Sequence, residues 1–135
     1  MRSFIIVVAF AGFVLFSCSK NNRVGQGIIT GNWELQKEVG GFAGTINYEH
    51  GEGTQLIFDD NRNFQVNYHY ASTGSGTYTI TESSNPGDWI LILHYSSGTQ
   101  TLPQRDSVRF DKNQFIILPF ASCCDIPKAY YEKQP

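Results

Sequence analysis

Between Phe64 and Tyr70 the chain alternates without a break, with Phe64, Val66, Tyr68 and Tyr70 on one side and Gln65, Asn67 and His69 on the other. A period of two puts one set on the core face of a β-strand and the other toward solvent. The pattern recurs along the chain. Gln55–Phe58 is joined to this strand by Asp59-Asp60-Asn61-Arg62-Asn63, a connection of hairpin length rich in turn formers. Tyr78 and Ile80 alternate with Thr77, Thr79 and Thr81, and Val108 and Phe110 run through Asp111-Lys112-Asn113 into an apolar stretch at 115–118. Pro86-Gly87 suits the central pair of a type II turn. Trp33, Leu35 and Val39 near the start and residues 129–133 at the end predict terminal strands. No window carries a helical apolar stripe longer than two turns. The expected fold is all-β: an antiparallel up-and-down barrel of about eight strands, with a two-sheet β-sandwich as the alternative. The barrel is preferred because consecutive strands look hairpin-connected and closure removes unpaired edges.

Two runs depart from the alternation. Trp89-Ile90-Leu91-Ile92-Leu93 and Phe115-Ile116-Ile117-Leu118 are apolar on both faces. Such strands are covered outside by the protein's own loops, or present an apolar face to a ligand or partner.

Ahead of the strands, residues 4–16 form an apolar run interrupted only by Gly12 and preceded by Arg2. The run falls short of the roughly 20 residues that span a bilayer as a helix and suits a signal-peptide core. An uncleaved anchor or a buried helix is the other reading. Leu15-Phe16-Ser17-Cys18 resembles the cleavage box of a bacterial lipoprotein signal: Leu15, Ser17 and Cys18 match it, and Phe16 is bulkier than the usual residue. That resemblance implies removal of 1–17, acyl chains on Cys18, and a membrane as partner through that lipid. The expected location is the cell envelope at the outer membrane, with the leaflet open. Residues 18–29 are polar and glycine-containing and read as a flexible tether, and 30–135 is the barrel domain.

Acidic side chains number 12 against 10 basic ones, and no basic stretch is interleaved with aromatics. Nucleic acid is therefore not an expected partner. His50, His69 and His94 show no ligand spacing, so neither a metal nor another cofactor is expected. There is no Gly-X-Ser-X-Gly and no recognisable triad, so an enzyme is not expected. The glycines at 40, 41, 44, 51 and 53 lead into a strand rather than a helix, which does not suit a phosphate loop. They read as a mobile loop at one barrel end. If Cys18 carries lipid, Cys123 and Cys124 have only each other within the chain. They could form a strained vicinal disulfide, serve an intermolecular or redox role, or remain packed loop thiols.

Gly31-Asn32-Trp33, opening the first strand, looks like the Gly-X-Trp motif that begins lipocalin-type barrels. Thr30-Gly31-Asn32-Trp33-Glu34-Leu35, the hairpin carrying Phe58 and Phe64, and Gly76-Thr77-Tyr78 follow a similar spacing pattern. Over most of the domain the chain is similar to small lipocalin-like lipoproteins of Bacteroidetes-type bacteria, although it is shorter than true lipocalins. The resemblance implies a barrel whose closed end is plugged by Trp33. An eight-stranded barrel is just wide enough to be filled by side chains or to hold one small ligand. Tyr48, Tyr68, Tyr70, Tyr78, Tyr95, Tyr130 and Tyr131 join apolar rings to polar tips, which suits an amphiphile. The expected ligand-lining set is Trp33, Tyr68, Tyr70, Tyr78, Leu91 and Leu93. The expected function is non-catalytic binding of a small apolar or amphiphilic molecule at the open end, near the loops at 40–44 and 51–53. The alternatives are an interaction subunit of an envelope complex with a filled barrel, or a thiol enzyme using Cys123 and Cys124.

Overall fold

The computed structural model describes residues 20–68, 71–98, 105–111, 113–118 and 126–135. Cys18, His69, Tyr70, Cys123 and Cys124 lie outside these residues. Among the described residues a helix, α1 (Lys20–Ile29), is followed by nine strands: β1 (Gly31–Val39), β2 (Thr45–Asn47), β3 (Gln55–Phe58), β4 (Asn63–Tyr68), β5 (Ala71–Glu82), β6 (Asp88–Gly98), β7 (Arg105–Asp111), β8 (Gln114–Leu118) and β9 (Lys128–Lys133). All pair antiparallel, and from β3 onward each lies beside the next in sequence. β9 then returns to β1, in register from Trp33 opposite Lys133 to Val39 opposite Lys128. Eight strands therefore close a barrel, with one extra strand, and the single closed sheet rules out the sandwich.

The extra strand is β2. Both β2 and β3 pair with the same edge of β1, β2 along Lys37–Val39 and β3 along Gly31–Glu34. Between them, residues 48–54 leave the wall opposite a bulge in β1 between Leu35 and Lys37. This segment is not the mobile end-loop its glycines suggest. The N–H of Leu35 donates to Thr54 O at 2.9 Å and that of Tyr48 to Gln36 O at 2.9 Å, while Gly51 N–H donates to the buried Glu34 carboxylate. Gly53 lies so close to β1 that a Cβ there would sit 1.9 Å from Leu35 O. The 40–44 turn, by contrast, does lie at an end of the barrel, closed by the N–H of Gly40 on Gly44 O at 2.8 Å.

Both expected hairpins, β3–β4 and β7–β8, are present as antiparallel pairs. The Asp59 carboxylate accepts the N–H groups of Asn61 and Asn63 at 2.9 and 2.8 Å, which bends the chain between β3 and β4. At Pro86-Gly87 the φ of Gly87 is 85° and Asp88 N–H donates to Asn85 O at 3.1 Å, as a type II turn requires.

Alternation along each strand delivers Trp33, Leu35, Leu56, Phe58, Phe64, Val66, Tyr78, Ile80, Leu91, Leu93, Val108, Phe115, Ile117 and Tyr131 to one continuous core. Rings fill its centre: Phe58 meets Tyr78 edge-on at 5.0 Å, and Phe115 stands 5.7 Å from Trp33 and 5.4 Å from Tyr131. In the two doubly apolar runs, Leu91, Leu93, Phe115 and Ile117 point inward, and Ile90, Ile92, Ile116 and Leu118 are half-buried on the outer wall.

The one large departure from the sequence reading is at 20–29. The expected tether is helical and lies across one end of the barrel. Ile29 is fully buried, and Gly25 sits so close to Trp89 that a Cβ would approach its ring to 2.7 Å. The indole N–H of Trp33 donates to Ile29 O at 2.6 Å, and Arg62 in the β3–β4 turn reaches Gln26 Oε1 at 3.4 Å. Two glycines and two asparagines give this segment poor intrinsic helicity. Docking against the barrel end supplies what propensity lacks.

Candidate functional site

Because β1 begins under α1, the opposite end holds the C-terminal part of β1, the start of β7, the end of β8 and the start of β9. The interior changes character toward that mouth. Asp106 shares the inward face of Val108 and Phe110, yet it is a carboxylic acid only 6% exposed. Burial pushes its carboxyl up to about 6, from the ordinary 3.8. Three strands further round the barrel, the β1 bulge reverses the facing of the residues beyond it. Glu38 thereby pairs with Ala129, which lies on the same face of β9 as Tyr131.

Phenols surround these two carboxyls. Tyr48 donates its hydroxyl to Glu38 Oε2 at 2.7 Å, and its own pKa is pushed up to about 12, first by burial and then by Glu38. Tyr131 is fully buried, which holds its hydroxyl well above the usual phenol range; the negative or ionisable groups of Glu38, Asp106, Tyr48 and Tyr95 add to the shift. All four groups lie close enough to act on Tyr131 electrostatically. Tyr95 packs edge-on against Phe64 at 5.0 Å, so this polar cluster, a cup of carboxyls and phenols toward the mouth, has an aromatic flank. Chemically the arrangement presents hydrogen-bonding carboxyl and phenol tips above a floor of rings and aliphatic side chains.

The expected ligand-lining residues are not all brought to this place. Trp33 and Tyr78, each 1% exposed, are packed in the half of the barrel covered by α1. The Tyr78 hydroxyl donates to Asp59 O at 3.0 Å, which fixes it to the β3–β4 turn at that end. Trp33 is packed at the barrel end under α1, its indole N–H on Ile29 O. Leu91 and Leu93 are core residues below the cup, and Tyr68, half exposed, is on the mouth side of β4. Of the cup residues, Asp106 was legible as a carboxylate in phase with Val108 and Phe110. Glu38 was not, because a bulge changes its facing.

Other candidate features lie on the outer wall. Glu34, fully buried, has His50 Nδ1 2.7 Å from Oε2, without the alignment of a hydrogen bond. Asp88 pairs with Arg109 at 2.7 Å, which raises the guanidinium pKa. An open groove of about 380 Å³ runs over Ile57, Gln65, Ser75 and Thr77, and another of about 660 Å³ runs over Ile90, Ser107 and Leu118 beside the 82–88 turn. Neither groove contains a carboxyl and a phenol together. Among the described residues no group of three or more His, Cys, Asp or Glu is placed to hold a metal ion, and no helix is long and apolar enough to cross a membrane. A comparison with protein-family models, curated proteins and solved structures finds no match to this chain.

Proposed function

We propose that this chain is a lipid-anchored envelope lipoprotein, cut before Cys18, whose lipocalin-like barrel binds a small apolar or amphiphilic molecule at its mouth and catalyses no reaction. The carrying observation is Asp106, a buried carboxyl placed on the inward face of β7 in line with Val108 and Phe110. A buried carboxyl without a strong partner is costly. A barrel whose interior served packing alone would gain stability from an apolar residue there. An amphiphile would set its polar head among Asp106, Glu38 and the phenols, and its apolar part on Phe64, Leu93 and Tyr95. Gly31-Asn32-Trp33 and the lipoprotein-like box at Leu15-Phe16-Ser17-Cys18 support the family and the anchor.

A second reading, an interaction subunit, draws on the filled half beneath the cup and on Phe42, fully exposed at the tip of the β1–β2 turn. Native mass spectrometry of protein extracted from its own membrane separates the two. A retained small molecule, lost on Asp106→Leu, is expected. A bare mass together with a specific co-purifying protein would replace the first reading with the second. Acyl labelling that persists in Cys18→Ser would remove the anchor. A thiol enzyme would require Cys123→Ser with Cys124→Ser to abolish the phenotype.

A further inference from the structure

The outer face of α1 remains after the fold and the cup are accounted for. Gly25 and Ile29 face the barrel, whereas Val24 and Ile28, one helical turn apart, are 57% and 37% exposed. An apolar pair at i and i+4 on the solvent side of a short helix contributes nothing to the core. The helix also contains Lys20 and Arg23 near its start, with no acidic residue in its first turn. Cations there oppose the helix dipole, so they are not placed for helix stability. An anionic surface against that end would compensate them.

The chain itself says which surface. Cys18 precedes α1 by two positions, and two residues span about 7 Å at full extension. With Cys18 acylated, the membrane attachment arrives within that reach of Lys20. We propose that the Val24–Ile28 face of α1 rests on the anionic surface of the bilayer, so that the barrel stands on its α1 end with its mouth turned away. This rests on the anchored reading above. Two apolar side chains are too little to hold a protein on a membrane unaided. They suffice to orient one that lipid already holds. The cup is then presented to the aqueous compartment rather than to the lipid, which makes its ligand one that arrives from solution.

Spin labels test this on the full acylated chain carrying Cys123→Ser and Cys124→Ser, with Val24→Cys, Ile28→Cys or Phe42→Cys added singly. The protein is reconstituted in vesicles of phosphatidylethanolamine with phosphatidylglycerol, and collision with oxygen and with a water-soluble nickel chelate is measured. Nickel access at 24 and 28 is expected to fall several-fold on reconstitution while access at 42 is unchanged. Lys20→Gln with Arg23→Gln should shrink that difference. Equal nickel access at all three sites, or protection at 42 instead, overturns the orientation while flotation with the vesicles leaves the anchor standing. Protein that does not float overturns both.

Discussion

Asp106 carries the sharpest consequence at the scale of a single residue. Its carboxyl titrates near 6 in the folded chain against 3.8 when free. Below about pH 4 it is protonated in both states and costs nothing. Between about 4 and 6 the folded state keeps a proton that the unfolded chain releases, so stability falls as pH rises, by about 3 kcal/mol in all. Asp106→Asn should flatten that slope, leaving the variant more stable than the parent at pH 8 and little changed at pH 4, as read from urea midpoints. Glu34 acts structurally, its buried side chain fastening the 48–54 segment to β1 through Gly51 N–H. Glu34→Ala strands that N–H and should cost about 1–3 kcal/mol, with faster amide exchange across 48–54. His50→Ala should stay within about 1 kcal/mol in the same assay, because the histidine is 79% exposed.

Elements held by packing rather than propensity respond differently. α1 contains Gly25 because Trp89 and Ile80 leave no room for a side chain. Gly25→Val should lift the helix from the barrel end, red-shift the Trp89 emission, and lower stability by about 1–3 kcal/mol with the strand signal retained. The strands themselves were readable, because period two and turn chemistry are local. Phe64 and Val66, and Tyr78 and Ile80, declared their faces directly, and Asp59 and Pro86-Gly87 declared their turns, whereas Tyr68, beyond a register shift after Val66, is half exposed. The helix was not readable, since Val24, Gly25, Ile28 and Ile29 form too short a stripe and its partner Trp89 is remote in sequence. Nor was the facing of Glu38, which depends on the bulge between Leu35 and Lys37. The site escaped for a related reason: Tyr48, Glu38, Asp106 and Tyr131 come from four separate segments that only closure of the barrel assembles.

At the scale of the molecule, closure rests on the pairing of β1 with β9. Removing 128–135 leaves β1 and β8 with open edges and deprives the core of Tyr131. The truncated chain is expected to lose its cooperative thermal transition and to aggregate, measured by calorimetry and light scattering. The same pairing makes folding wait. Trp33 cannot meet Lys133 until nearly all of the chain between them is available, and bringing such distant segments together is entropically slow. Hairpins such as β3–β4 can form early, but the cup and the seal of the barrel are the last things made. A chain with this order of events gains its cooperative stability only when 128–133 arrives to seal the sheet.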